Sequence, residues 1–222
     1  MEFLSSMFNP IIEFMRTLLT YAFQFTEMIG YPSYGIAIIL LTLVIKAILA
    51  PLTVKQIKSM KAMQELQPRM QALQEKYKNN PQQMQQEVAK MYREMGVNPL
   101  AGCLPLLVQM PFLIAIFWAL QDYPYNPAYV QFLWLPSLGQ TDPYYILPVL
   151  SAVSTWMMSR QTSQGATGAA ASQQKIMMWF MPLFIGYISL NFPAGLVIYW
   201  VVSNVFQFVQ QHFIYKSLDA NK

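Results

Sequence analysis

Apolar residues run along this chain in blocks longer than a soluble core helix needs, and the breaks between the blocks carry nearly all of the charge. Crossing a hydrocarbon layer of about 30 Å takes roughly 20 apolar residues in a helix. Three blocks have that length: Ser33 to Val54, Leu100 to Leu120 and Phe192 to Phe213. Two shorter blocks, Tyr144 to Met158 and Ile176 to Leu190, would reach only about 22 Å at the helical rise and are expected to be thin spans. The pattern predicts five transmembrane helices, at residues 33–54, 100–120, 143–158, 176–190 and 192–213.

The polar segments have patterns of their own. In residues 1–30, Phe8, Ile11, Met15, Leu18, Leu19 and Ala22 recur at helical spacing while Glu13, Arg16, Thr20, Gln24 and Glu27 interrupt them. This reads as an amphipathic helix lying in the membrane interface, with a sixth span over Ile11 to Ile29 as the alternative. Residues 55–97 read as a helical hairpin that breaks at Lys78-Asn79-Asn80-Pro81. Met60, Met63, Gln67, Met70, Leu73 and Tyr77 form a narrow stripe on one arm, and Met84, Val88, Met91 and Met95 on the other. The two stripes are expected to pack together. Pro68 is expected to bend its arm, because it removes a backbone donor. Residues 121–142, 159–175 and 214–222 remain as an outer loop, an inner loop and a tail.

Composition agrees with the pattern: 55% of residues are hydrophobic and 11% are charged, less than half the charged share of about a quarter usual in soluble domains. The chain reads as an all-α membrane protein. One cysteine, Cys103, and one histidine, His212, exclude a disulfide framework, iron–sulfur and thiolate zinc sites, and an HExxH pair. No phosphate loop of the GxxxxGK[ST] type occurs, and no carboxylate lies in the later spans to do acid–base work. No enzyme activity and no cofactor are expected. The start lacks the basic n-region and cleavage site of a secretory signal.

Orientation follows from the basic residues. Eight lie in the hairpin, two in the inner loop (Arg160, Lys175) and two in the tail (Lys216, Lys222); Arg16 alone lies on the other side. By the positive-inside rule the hairpin and C-terminus are cytoplasmic and the N-terminus is outside. The protein is expected to be a multi-pass component of the plasma membrane.

Lys46 is the one charge inside a clear span, about 13 Å from the expected helix end at Lys55. Such a lysine costs roughly 2.5 to 3.5 kcal/mol on insertion scales, and no carboxylate in another span is placed to pair with it. Water and the side chains of Thr42, Gln109, Ser151, Ser154, Thr155, Ser203 and Asn204 are the candidate partners, which together predict a wet cavity. A cation in such a cavity attracts anions, because low-dielectric walls focus its field. The alternative is a lysine that snorkels to the headgroups. Trp200 lies deeper than the other tryptophans and is expected to line the interior.

The stretches YGIAIILLTLVIKAILAPLTVKQIKSMKAMQELQPRM (Tyr34 to Met70), NPLAGCLPLLVQMPFLIAIFWAL (Asn98 to Leu120), DPYYILP (Asp142 to Pro148) and NFPAGLVIYWVVSN (Asn191 to Asn204) resemble the YidC-type membrane protein insertases, in particular the compact form of Gram-positive bacteria. The resemblance implies five core spans, an outer interfacial helix and a cytoplasmic hairpin. It also implies a cationic groove, open to cytoplasm and lipid, that receives the hydrophilic tail of a nascent membrane protein and releases the apolar segment sideways into the bilayer. Lys46 stands where the family usually has arginine, which keeps the charge and loses the planar fork. Trp200 matches a groove tryptophan, and Met158 or Ser159 stands where the family has a groove glutamine. The hairpin tip, Lys76, Lys78, Asn79, Asn80 and Pro81, is the implied docking point for the ribosome or the targeting-particle receptor, with the general secretion channel as a further candidate partner. A small transporter or anion pathway using Lys46 as its binding charge is the alternative; no inverted repeat is visible to favour it.

Overall fold

The structure, a computed structural model, describes residues 2–96, 104–121, 123–162 and 169–220, and the side chains among them except those of 2–7, 104–109 and 169–177. The described residues form seven helices: α1 (Glu2–Met28), α2 (Tyr34–Lys76), α3 (Pro81–Glu94), α4 (Leu104–Gln121), α5 (Ile146–Thr162), α6 (Ala169–Ser189) and α7 (Ala194–Ala220). Among these residues the only extended pairing is one bridge between Phe132 and Leu135.

The first expected span and the first hairpin arm are one helix. The sequence reading placed a boundary between Val54 and Lys55, but α2 runs unbroken for 43 residues, through Pro51 and Pro68. Polarity changes there while helix preference does not, since the Lys, Gln, Met and Glu that follow are all good helix formers. Ser33 opens α2 by accepting from the Ile36 N–H at 3.5 Å, and Gly30, at φ 82°, supplies the left-handed turn that releases α1. The far end stops at Tyr77, whose N–H bonds Leu73 O at 3.0 Å. Asn80 then caps α3 by accepting from Gln83 N at 3.2 Å, with Pro81 at a first helical position, where its missing donor costs nothing. α3 folds back on α2, Tyr92 Oη donating to Met70 Sδ at 3.3 Å.

The methionine stripes do not simply face each other. Ile57 and Met60 of α2 pack with Tyr215 of α7, because α7 extends beyond its expected end at Phe213 to Ala220. α5 and α6 also outrun the expected thin spans, at 17 and 21 residues. Among the described residues α2 is the one helix long and apolar enough to cross a membrane; Met110–Gln121 and Met178–Ser189 are shorter apolar stretches. In α7, Asn204, Gln207, Gln210 and Gln211 dilute an otherwise apolar run.

Contacts fix the arrangement. Lys46 meets Gln207 and Lys61 meets Asp219, so α2 and α7 run parallel. Thr155 meets Trp200 while Arg160 and His212 share a cavity wall, so α5 also runs parallel to α7. Ser151 meets Ser189 and Trp156 meets Trp179, so α6 returns antiparallel along α5. α1 lays Ile12, Met15, Leu19 and Phe23, one helical stripe, into the core shared with α2 and α4.

The starts of α2, α5 and α7 gather under the segment from Tyr123 to Tyr145. There Phe23 stacks on Tyr34 at 4.0 Å between ring centroids, and Tyr34 meets Tyr125 edge-on at 5.0 Å. Gly35 lets the Phe132 ring press against its Cα, where any Cβ would overlap the ring. Leu138 O and Gln140 O accept from Gly195 N at 2.9 Å and Ala194 N at 2.7 Å, which satisfies the first donors of α7. Asp142, buried, accepts from Trp134 Nε1 at 3.2 Å, Tyr144 N at 3.0 Å and Leu147 N at 2.7 Å, which closes the start of α5.

Candidate functional site

Away from that loop end, α7 turns polar along one face. Trp200, Asn204, Gln207 and Gln211 are spaced by four, three and four residues, so they line one stripe of the helix. On one flank, Lys46 of α2 donates its ammonium to Gln207 Oε1 at 2.9 Å. Lys46 is only 5% exposed, and among the described residues it has no acidic partner. On the other flank, Thr155 of α5 accepts from Trp200 Nε1 at 3.1 Å and from Asn204 Nδ2 at 3.1 Å. Asn204 also donates to Ser154 Oγ at 3.2 Å.

The other residues singled out from sequence take different partners. Thr42 is fully buried and returns its hydroxyl to Ile38 O at 2.7 Å. Ser151, also buried, shares its one hydroxyl proton between Pro148 O at 2.8 Å and Ser189 Oγ of α6 at 3.0 Å. Ser203 is buried. The side chain of Gln109 lies outside the described residues. Helical Ser and Thr hydroxyls bond the carbonyl three or four residues back, as Thr42 and Ser151 do here, and Lys46 is enclosed beside Gln207.

Gln207 was missed from sequence, although the run of polar residues at spacings of three and four along the last span was a usable signal. A lysine stem reaching sideways needs a long acceptor on the facing helix, and Gln207 lies one turn beyond Asn204.

The open space lies further along the same helix. One residue past Gln207, Phe208 lines a cavity of about 660 Å³ bounded by α2, α5 and α7. A second cavity of about 300 Å³, almost wholly apolar, lies between α4, α6 and α7, with Phe117, Ile185 and Phe192 on its walls. Trp200 lines this apolar cavity while its indole N–H reaches Thr155. Among the described residues no three His, Cys, Asp or Glu side chains gather where a metal ion would be held.

The hairpin residues lie together at the turn between α2 and α3. Lys76, Lys78, Asn79, Asn80 and Pro81 are all exposed, and Lys76 Nζ sits 5.1 Å from the centre of the Tyr77 ring. Asn80 and Pro81 already have structural work there as cap and first helical residue.

Apolar helices enclosing one cation and a ladder of amides and hydroxyls define a helical integral membrane protein with a polar interior. Comparison with known proteins narrows the class. Residues 24–221 match the family described as 60Kd inner membrane protein. The chain is 45% identical over 204 residues to membrane protein insertase YidC 2 of Bacillus anthracis, a match covering 90% of this chain and 77% of that one. It is 44% identical over 187 residues to membrane protein insertase YidC of Haemophilus influenzae, covering 84% of this chain and 34% of the relative. It thus spans about a third of the length of that longer relative. A crystal structure described as active YidC insertase with the first transmembrane domain resolved superimposes with a TM-score of 0.66 at 30% identity, over 92% of this chain and 45% of that one. This chain belongs to the YidC-type insertase family of inner membrane proteins.

Proposed function

We propose that this chain inserts proteins into the bacterial plasma membrane, receiving the hydrophilic tail of a nascent membrane protein on its cationic, polar interior and releasing the apolar segment sideways into lipid. The observation that carries this reading is the enclosed ammonium of Lys46, whose partner is the neutral Gln207 Oε1. An ammonium has three donors and no acceptor, and a neutral amide leaves its charge uncompensated. An acidic residue entering from the polar side gains Coulomb attraction that a protein carboxylate would otherwise have taken.

The ladder Trp200, Asn204, Gln207, flanked by Ser154 and Thr155, gives an extended peptide a succession of hydrogen-bonding groups within a low-dielectric body. The end of the ladder toward Gln211 faces the cytoplasm, and the tail enters there alongside α7. This orientation rests on the basic residues of the hairpin and tail and puts the N-terminus outside. The exposed tip at Lys76, Lys78, Asn79, Asn80 and Pro81 is the docking point for the ribosome or the targeting-particle receptor, where positive charge meets RNA phosphate or an acidic surface. The general secretion channel is a further partner.

The test is insertion of a single-span substrate with an acidic tail into vesicles holding purified protein with Lys46→Arg, Lys46→Gln or Lys46→Glu. Arginine retains insertion, glutamine lowers it about tenfold, equivalent to about 1.4 kcal/mol, and glutamate abolishes it. Full insertion with glutamine would remove the charge from the mechanism.

A further inference from the structure

The larger cavity carries a reading that does not depend on insertion. Its walls hold three cations, Lys61, Arg160 and Lys216, against one carboxylate, Asp219. Lys61 and Asp219 already pair at 3.1 Å. Arg160 lies over the Trp156 ring at 5.2 Å, and among the described residues neither Arg160 nor Lys216 has an acidic partner. The cavity is therefore cationic by about two charges.

Two buried polar atoms of residues on its wall have no hydrogen-bond partner among the described residues, Trp156 Nε1 and Gln161 Oε1. The first can only donate and the second can only accept. Gln161 is 7% exposed, so its oxygen has no easy compensation from bulk solvent. Buried polar atoms left without partners are uncommon and call for an explanation.

The place in the fold favours lipid as the occupant. Arg160 follows directly on the apolar part of α5, and Lys216 follows that of α7, so the cavity lies at the depth where both helices leave hydrocarbon. Trp156, Met157 and Phe208 give the same space an apolar side, and Phe213 beside it is 65% exposed. Tryptophan and basic residues at this level are the usual partners of headgroups, and basic pockets between membrane helices hold anionic ones.

We propose that this cavity binds the headgroup of an anionic glycerophospholipid, with Arg160 and Lys216 holding the phosphodiester. The apolar side takes the first part of an acyl chain.

The test is native mass spectrometry of the full chain in detergent, titrated with phosphatidylglycerol or phosphatidylcholine. One phosphatidylglycerol is retained at least tenfold more tightly than phosphatidylcholine. The double variant Arg160→Gln with Lys216→Gln loses that preference. Arg160→Lys keeps most of it. Excess inorganic phosphate and a glutamate-rich peptide leave the bound lipid in place. Equal retention of the two lipids, or an unchanged double variant, would overturn the proposal. Displacement by phosphate would mark a free-phosphate site, and displacement by the peptide a site for acidic chains; either would overturn the lipid assignment. Both arginine and lysine are exposed, so their replacement leaves the fold intact. Lipid retention is read without any inserted substrate, so its failure leaves the insertase reading untouched, and the reverse holds too.

Discussion

The two ends of α7 lie in the same helix and answer opposite demands. At the loop end, Ala194 to Tyr199 are all buried, the first N–H groups are taken by Leu138 O and Gln140 O, and Asp142 holds three donors at the start of the neighbouring α5. At the hairpin end, Gln161, Gln210 and Gln211 each keep a buried oxygen with no partner among the described residues, and Trp156 keeps such an N–H. Burial without partners is costly. Among the described residues, one end is thus closed and the other leaves buried polar groups without protein partners.

The comparison is most easily broken at Asp142. Asp142→Ala removes an acceptor from one side-chain and two backbone donors together, and it should destabilise the fold by about 2 to 3 kcal/mol. Thermal unfolding in detergent measures it. A change under 0.5 kcal/mol would mean that the loop end is not held by this carboxylate, and the contrast with the hairpin end would fail.

A smaller effect, of opposite sign, is expected from Tyr125→Phe. At the loop end the Tyr125 hydroxyl is buried and has no partner among the described residues, and burial holds its pKa above the ordinary 10. Removing it should stabilise the fold by about 1 kcal/mol at neutral pH. In the unfolded chain the phenol ionises near pH 10 while in the folded chain it keeps its proton. Its contribution is complete below pH 10 and is lost as pH rises beyond, because ionisation favours the unfolded state. The variant should therefore lose stability less steeply above pH 10 than the parent. Parallel slopes would show that the hydroxyl finds a partner in solution.

Much of this was legible in the residues. Apolar block length announced the helices, and the Pro81 and Asn80 pair announced the turn between α2 and α3, since both are local signals. The join of span and arm in α2 was not, because a change from apolar to polar residues alters what surrounds a helix without stopping it. Lys46 stood out as a lone charge, and Trp200, Thr155 and Asn204 do meet. Its acceptor, Gln207, and the separate cavity beyond Phe208 depend on which helix faces which, and that is set by packing between segments far apart in the chain. Asp142, acidic and two residues from the start of an apolar block, was passed over as a loop charge, although its spacing to Leu147 suits a carboxylate closing a helix start.

Gln211→Leu tests the hairpin end where the expected effect is smallest. Gln211 is fully buried; Nε2 donates to Tyr215 Oη at 2.9 Å while Oε1 has no partner among the described residues. Leucine loses one hydrogen bond, about 1 kcal/mol, and removes a buried unpartnered acceptor that costs a similar amount or more. Stability should therefore stay within about 1 kcal/mol of the parent, on either side. A loss of 2 kcal/mol or more would show that this amide is tied into the fold as firmly as Asp142, and the two ends would no longer differ in kind. If stability holds while insertion of an acidic-tailed substrate falls several-fold, the amide oxygen is kept for the passing chain and not for the fold. If both hold, the substrate path proposed above ends at Gln207, one turn short of Gln211.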